Sequence, residues 1–400
     1  MRSPRLSLLF VGPLPPHQGG AAMFSAQLLS ELARRGNEIE AISAITSAGL
    51  ESGDAFASAH PELHVSRYGL PYLATGPDIP PSQEYLDQER GQIAELARRS
   101  VERRRPDVLF AGRELIVPQL EDLDCVRGLP RMLVIHGTAM FGIQRGTFPR
   151  QLADPLLASM RGYDLIVTSG RHARESMAEL GVPGVEVIPN PVDLDRFGPA
   201  EPDAEMLGEL RIPDGATVVL HASKLTEQKR PLDILGAAER AVARDRELVF
   251  VVAGDGRLRE QVERECAARG LAEHFRFPGW IEHERMPALI SIGSVILMPS
   301  AYECQALVYL EAMACGRPLI ASDIPASREV VEHRVNGLLH PEGDEARLAE
   351  LVLECTGDRA LRERLVEGGR ATAGEHALPR VADAYEAALV GLAGLKPSSA

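Results

Sequence analysis

The stretch PSAYECQALVYLEAMACGRPLIASD, residues 299–323, carries the strongest structural and functional signal in the chain. An apolar run leads into it, a polar loop carrying Glu303 follows, and helical spacing covers residues 305–315. This order of strand, loop and helix is typical of a parallel sheet with helices on its faces. The amides of residues 305–308 open the predicted helix without intrahelical acceptors, so they could bind a phosphate oxygen.

Two glutamates belong to this stretch. Glu311 stands in the apolar run LVYLEAMA, where an unpaired carboxylate would be costly and a ribose diol would be a good partner. Alternatively, Glu303 is a cap that complements the helix dipole and Glu311 is a surface residue. The glutamates alone leave both interpretations open, and the motifs described below favour the first.

The alternation of strand and helix extends over the whole chain and predicts a doubly wound α/β fold. Short apolar runs predict strands at 6–12, 38–43, 107–112, 132–137, 163–169, 185–189, 216–222, 248–254, 294–300 and 318–322. Amphipathic stretches predict helices at 21–35, 81–104, 171–180, 231–244, 257–269, 284–291, 305–315, 345–356 and 381–392.

Two Rossmann-like domains fit a chain of 400 residues. The Pro- and Asp-rich segment 190–205 lacks periodicity and is the predicted linker. The N-terminal domain is expected over 1–195 and the C-terminal domain over 206–375. A C-terminal helix at about 378–395 could pack back on the first domain.

The segment Glu51–Gln83 is long and rich in Gly and Pro, with one weak strand signal, LHVSR (63–67). A loop of this length in a compact domain is often a binding loop. Disorder explains the segment equally well.

Composition excludes several classes of protein. The net charge of −14 argues against a nucleic-acid partner. Five scattered cysteines with no CxxC pair indicate neither a disulfide framework nor a zinc site. The apolar run Leu6–Val11 is too short for a signal peptide, and no stretch reaches the roughly 20 apolar residues of a membrane helix. We therefore expect a cytoplasmic protein without a transmembrane segment, which leaves peripheral membrane contact open.

A cluster of arginines between Arg98 and Arg105 has two interpretations. At a helix end, cations complement the dipole. A membrane or acceptor patch is the less favoured alternative.

Only three of the 43 basic residues are lysines, and two of these, Lys224 and Lys229, lie in LHASKLTEQKRPLDIL (220–235). Both follow a predicted strand and precede a helix. Two ammonium groups there could neutralise a diphosphate, both when it is bound and as it departs. The alternative is a solvated loop that caps the helix, and the rarity of lysine elsewhere favours the first interpretation.

Three lesser signals follow other strands. Gly19 and Gly20 open a helix, but their spacing is not G-x-G-x-x-G, which counts against a dehydrogenase. Gly254 lies in the turn AGDGRL, at a sheet edge where nucleotides commonly bind, although a plain tight turn is nearly as good an explanation. His136 also ends a strand; a lone histidine is more often structural, but this position favours a ligand cleft.

Together these motifs resemble retaining glycosyltransferase family 4, which has the GT-B fold of two Rossmann-like domains facing a central cleft. Glu303 and Glu311 match the family's E-x7-E motif, and SKLTEQK (223–229) resembles its G-R-L-x-x-x-K element. The Gly-Gly loop with its following helix and the segment VIPNPVDLDRF are similar to the family's N-terminal half.

The resemblance implies a retaining transfer of a sugar from a nucleotide diphosphate-sugar to a small-molecule, glycan or lipid-linked acceptor. It implies no metal and no other cofactor, since lysines and a helix dipole neutralise the phosphates. Catalytic roles fall on Glu303, His136 and Lys229. Donor binding falls on Gly19, Gly20, Lys224, Lys229, Gly254, Gln305, Ala306, Leu307, Val308 and Glu311.

The chain departs from the family pattern at three places. Cys304, Gln305 and Ala306 stand where the family usually has Gly-Phe-Gly, Ser223 and Lys224 replace Gly-Arg, and Asn190-Pro191 replaces Asn-Gly. These changes keep the nucleotide site and alter the sugar pocket. A non-catalytic nucleotide-sugar-binding protein, or a GT-B epimerase or phosphorylase, would use the same phosphate-binding residues and is the alternative.

Overall fold

The computed structural model describes residues 4–46, 54–70 and 83–395. These residues form two compact units. Unit 1 comprises the described residues up to Pro191 together with those from Leu378 onward, and unit 2 comprises Val192–Ala377. Each unit contains its own parallel sheet.

The sheet of unit 1 has the strand order β3-β2-β1-β4-β5-β6-β7, and every pairing is parallel. Its strands are β1 (Ser7–Val11), β2 (Glu38–Thr46), β3 (His64–Leu70), β4 (Val108–Ala111), β5 (Arg131–Ile135), β6 (Leu165–Thr168) and β7 (Glu186–Val187). The central strands β1 and β4 are buried along almost their whole length, which explains their unbroken apolar runs.

The sheet of unit 2 has the order β10-β9-β8-β11-β12-β13, again with parallel pairings. Its strands are β8 (Thr217–Ala222), β9 (Leu248–Ala253), β10 (Phe275–Gly279), β11 (Val295–Met298), β12 (Leu319–Ser322) and β13 (Leu338–His340). The edge strands β10 and β13 were not predicted. FRFPG contains an arginine and a proline, and LLH is only three residues long, so neither produces a clear apolar run.

Helices cover both sheets. They are α1 (Gly20–Arg34), α2 (Ala55–Ala59), α3 (Gln83–Arg103), α4 (Val117–Leu120), α5 (Thr138–Gln144), α6 (Arg150–Met160), α7 (Arg171–Glu179), α8 (Ala204–Glu209), α9 (Pro231–Val242), α10 (Arg259–Ala268), α11 (Met286–Ile292), α12 (Leu307–Ala314), α13 (Pro325–Arg328), α14 (Glu345–Gly357), α15 (Arg359–Glu375) and α16 (Leu378–Leu392). None of the helices in the described ranges has both the length and the apolar character needed to span a bilayer. The predicted α/β fold of two Rossmann-like parallel-sheet domains is confirmed.

In both sheets the chain reverses its direction of winding at the centre. The reversal falls between β1 and β4 in unit 1, and between β8 and β11 in unit 2. Loops that leave adjacent strands in opposite directions open a crevice at the carboxyl edge, where ligands of doubly wound folds bind. The loop that carries Lys224 and Lys229 (residues 223–230, the lysine loop) follows β8. The loop that carries Glu303 (residues 299–306, the Glu303 loop) follows β11, so the fold brings these two motifs together.

The described part of the segment Glu51–Gln83 is ordered structure. It contributes α2 and then β3, which pairs with β2 over seven residues from His64 to Leu70. Asp54 caps α2 and also binds the buried guanidinium of Arg67 at 2.6 Å. Residues 51–53 and 71–82 lie outside the described ranges.

The predicted linker 190–205 enters the core of unit 2 almost at once. Val192 is 1% exposed and Phe197 is 0% exposed. The amide of Val192 donates to the carbonyl of His376 at 2.9 Å, and Val192 forms a parallel bridge with Ala377. The two ends of unit 2 are therefore hydrogen-bonded neighbours.

Helix α16 packs against α1 within unit 1. Arg35 donates to Asp383 at 2.6 Å, and Asn37 donates to the buried Glu386 at 2.8 Å. The ring of Tyr385 lies 5.6 Å from that of Phe24 in an edge-on contact. Apolar packing and hydrogen bonds from Arg35 and Asn37 thus hold α16 in unit 1.

Tyr385→Ala is expected to lower the free energy of unfolding by about 3–5 kcal/mol, because it leaves a cavity against Phe24. Urea denaturation measures the loss. Asp383→Ala on the same helix removes only a largely exposed carboxylate, so its cost should stay below about 1 kcal/mol. If the two variants lost the same free energy of unfolding, the buried ring of Tyr385 would not be the main contact that holds α16 in place.

Candidate active site

In unit 2, two hydrogen bonds join the lysine loop to the Glu303 loop. The amide of Ala301 donates to the carbonyl of Gln228 at 2.8 Å. The side chain of Gln228 donates to the carbonyl of Tyr302 at 2.9 Å. Gln228 lies one residue before Lys229 and Tyr302 one residue before Glu303, so this pair of bonds fixes the two charged side chains side by side.

Lys229 and Glu303 form an ion pair between Nζ and Oε1. The side chains are 17% and 7% exposed, so solvent screens the pair little. Glu303 is therefore a partner of Lys229 rather than a helix cap. The N-cap position belongs to Ala306, and no side chain in the described ranges caps this end.

Helix α12 begins at Leu307, two residues later than predicted. Ala306 has an extended backbone with ψ of 123°, which stops the helix there. Leu307 and Val308 supply the first two helical amides, while the amide of Tyr309 already donates to Ala306. Gln305 precedes the helix, so its amide is not part of the first turn.

Glu311 is buried inside α12, which rules out the alternative of a surface residue. Its side chain is 7% exposed, and Oε1 accepts a hydrogen bond from His283 Nε2 at 3.0 Å. His283 opens a short 3₁₀ turn, His283–Arg285, after β10. No sequence pattern predicts this partner, which lies 28 residues before Glu311.

Lys224 lies near Lys229 in the same loop. Burial, together with the nearby Lys229 ammonium, lowers the pKa of Lys224 to about 8. A bound anion would reverse both effects. Lys224 is thus a cation that would gain stability from a phosphate group.

Ser223 precedes Lys224 and binds a buried histidine. His221 Nδ1 lies 2.8 Å from the carbonyl of Leu297, so Nδ1 carries the proton and Nε2 is the acceptor. The hydroxyl of Ser223 lies 2.7 Å from Nε2 and donates to it. Burial lowers the pKa of His221 to about 4, so this ring stays neutral near pH 7.

Gly254 lies directly against the backbone of Ser223. A Cβ at this position would lie 1.8 Å from the Ser223 carbonyl oxygen, and its φ of +132° also favours glycine. The amide of Ser223 donates to the carbonyl of Ala253 at 3.1 Å. Gly254 therefore allows the turn after β9 to support the lysine loop; a contact with the donor stays a prediction.

In unit 1, Gly19 and Gly20 begin α1. Gly19 has φ of +110°, a backbone conformation that suits glycine, and Gly20 is the first helical residue. His136 directly follows β5, and its backbone amide donates to the buried Glu114 at 3.3 Å. Burial lowers the pKa of His136 to about 4, and its Nε2 is buried without a partner among the described residues. His136 therefore holds a neutral ring with an unused nitrogen.

The arginine cluster at the end of α3 is largely neutralised. Arg98 and Arg99 pair with Glu95, and Arg103 pairs with Glu40 at 2.9 Å. Arg104 pairs with Glu38. These contacts leave little unpaired charge for an anionic surface.

Two family models match the chain and together span most of it. The model for "Glycosyltransferase Family 4" matches residues 18–196, and the model for "Glycosyl transferases group 1" matches residues 203–372.

The chain belongs to glycosyltransferase family 4.

Curated relatives of this family 4 chain are named glycosyltransferases. An alpha-D-kanosaminyltransferase of Streptomyces kanamyceticus is 28% identical over 60% of this chain and 65% of its own length. A 2-deoxystreptamine N-acetyl-D-glucosaminyltransferase of Streptomyces fradiae is 34% identical over 46% of this chain and 44% of its own length. The chain thus matches between about half and two thirds of the length of these relatives.

A solved structure shares the GT-B fold over nearly all of this family 4 chain. Anabaena HepE, in complex with UDP-glucose, superimposes with a TM-score of 0.78 at 18% identity. The match covers 97% of this chain and 100% of HepE. At 18% identity, this structural similarity is evidence for the fold alone.

Proposed function

We propose that this glycosyltransferase binds a nucleoside diphosphate-sugar at the carboxyl edge of the unit 2 sheet and transfers the sugar with retention. The observation that carries the proposal is the convergence of Lys224, Lys229 and Glu303 on the loops that leave β8 and β11, with Glu311 in the helix α12 that follows the second loop. Two ammonium groups and the start of α12 match a diphosphate. The UDP-glucose bound to HepE makes a UDP-hexose the first donor to test.

The lysines take the place of a metal in this proposal. As the bond between the sugar and the diphosphate breaks, negative charge grows on the leaving oxygen, and two fixed cations stabilise it. The hydroxyl of Ser223 is committed to His221, so it adds no donor to the phosphates. We propose that the enzyme needs no resident metal or cofactor.

Retention fits a front-face substitution. Glu303 shares its charge with Lys229, which makes it a weak nucleophile. In the proposed step the acceptor oxygen bonds to the anomeric carbon on the face that the diphosphate leaves. The acceptor proton passes to the departing phosphate oxygen. An inverted product anomer would contradict this step.

We propose that the acceptor is a small polyhydroxylated molecule. The first compound to test is 2-deoxystreptamine, which appears in the name of the Streptomyces fradiae relative. A cytoplasmic location is proposed because five cysteines form no disulfide. The roles predicted for Gly19, Gly20 and His136 stay predictions.

The experiment is a thermal-shift screen of UDP-, GDP-, ADP- and dTDP-sugars, followed by transfer assays and NMR of the product. Binding with transfer and an α-linked product from an α-linked donor is the expected result. Binding without transfer would indicate a nucleotide-sugar-binding protein. Epimerised donor or phosphate-dependent cleavage would indicate an epimerase or a phosphorylase.

Affinity for UDP is expected to fall as the pH rises above about 8. Lys224 is charged below its pKa of about 8 and neutral above it, and only the charged form attracts the diphosphate. The Kd should rise about tenfold per pH unit, until the pH reaches the higher pKa that the bound anion gives Lys224. Calorimetry between pH 7 and about 9.5 measures this slope. Lys224→Arg should remove it, because a guanidinium stays charged.

A further inference from the structure

The side chain of Glu311 makes one hydrogen bond with the residues that the structure describes. Oε1 accepts a hydrogen bond from His283 Nε2 at 3.0 Å. Oε2 accepts no side-chain or backbone hydrogen bond from the residues that the structure describes. A single imidazole therefore determines how this buried carboxylate is oriented.

The neighbouring carboxylate determines which ring nitrogen carries the proton. Nε2 of His283 faces an acceptor, so Nε2 donates. Nδ1 is buried and has no partner among the described residues. Leaving a buried nitrogen without a hydrogen-bond partner is unfavourable for folding. The ring orientation thus gives Glu311 a hydrogen bond from Nε2 and leaves Nδ1 without one among the described residues.

Packing keeps the ring in this position. The imidazole lies 5.5 Å from the ring of Phe197, at an angle of 59°. Phe197 is fully buried, and the side chain of His283 is 11% exposed. The 3₁₀ turn His283–Arg285 fixes the backbone from which the ring extends.

We propose that His283 is the positioning residue for Glu311 and that it sets a preference for ribonucleotides over 2′-deoxyribonucleotides. The proposal rests on the proposed function, in which Glu311 binds the ribose. Each carboxylate oxygen has two acceptor positions, so the bond from His283 leaves one on Oε1 and both on Oε2. Holding the carboxylate in one orientation aims these positions at the two ribose hydroxyls.

The test compares His283→Met and His283→Gln in the full-length protein. The two side chains have similar size, but only glutamine retains an N–H donor where Nε2 lies. Calorimetry gives the Kd values for UDP and 2′-deoxy-UDP. His283→Met should weaken UDP about tenfold and 2′-deoxy-UDP less than about twofold, whereas His283→Gln should keep most of the selectivity. The donor KM should rise in His283→Met while kcat changes less than about twofold.

Two outcomes would overturn the inference. One is an unchanged selectivity in His283→Met. The other is tighter binding of UDP by that variant, which would mean that the imidazole occupies the place of the ribose.

Glu311→Gln separates this inference from the proposed function. If Glu311→Gln loses the selectivity and His283→Met keeps it, only the role of His283 fails. If Glu311→Gln also keeps it, the ribose contact of the proposed function fails as well. A measurement without substitution is NMR of ¹⁵N-histidine: UDP should shift the Nε2–H resonance of His283 more than 2′-deoxy-UDP does, and equal shifts would contradict the inference.

Discussion

Lys229→Ala is expected to lower kcat/KM for sugar transfer at least about 100-fold. The substitution removes a cation that would stabilise the departing diphosphate. It also leaves the buried carboxylate of Glu303 without its partner. Steady-state kinetics with the donor found in the screen measure the effect.

The control for this prediction is a cation outside the pair. Arg257, in the turn after β9, pairs with the exposed Glu227, so Arg257→Ala should change kcat/KM less than about threefold. Glu303→Gln should keep its affinity for UDP, because Lys229 remains available to the phosphates. Turnover by Lys229→Ala within tenfold of the unsubstituted enzyme would contradict the assigned role.

Gly254→Ala is expected to reduce both stability and nucleotide affinity. A methyl group there would collide with the carbonyl oxygen of Ser223, 1.8 Å from the new atom. The strained backbone and the overpacking together should cost about 2–5 kcal/mol of unfolding free energy. Because Ser223 adjoins Lys224, the displaced loop should also weaken UDP binding at least about tenfold.

Gly270→Ala separates the backbone effect from the collision. Gly270 also has a positive φ, of +70°, but a Cβ there would meet nothing within 4 Å. This variant should cost about 1–2 kcal/mol and leave UDP affinity unchanged. Equal losses of affinity in both variants would show that the contact with Ser223 is not what matters. Urea denaturation and calorimetry give the two quantities.

Much of the fold was predictable from the sequence because the inner strands of a covered parallel sheet are continuous apolar runs. Strands such as β1 and β9 are recognisable for that reason. Helix α15 was missed, since RALRERLVEGGRATAGE is rich in arginine, glutamate and glycine and has a narrow apolar side. Helix α6 was missed because Pro155 interrupts its pattern. Tertiary packing stabilises both helices where local preference is weak.

The charged residues of the site were predictable one by one, but their pairings were not. The rarity of lysine identified Lys224 and Lys229, and the apolar surroundings of Glu311 indicated a buried carboxylate. Lys229 and Glu303 are separated by 74 positions, and no local pattern joins them. In the sequence, His283 is one of four consecutive polar residues in WIEHERMP (280–287), and nothing there distinguishes it as a partner of Glu311. Only the sheet order, which places β8 beside β11, brings such residues together.

The hydrogen bond between Val192 and His376 makes unit 2 an insertion with adjacent ends. The gene segment for Val192–Ala377 can therefore be excised by joining the flanking chain at one junction, or exchanged with that of a relative at two junctions that lie side by side. During synthesis, Leu378–Leu392 leaves the ribosome only after all of unit 2, although this helix packs on Phe24 of unit 1. The surface of unit 1 around Phe24 is therefore complete only after unit 2 has been translated.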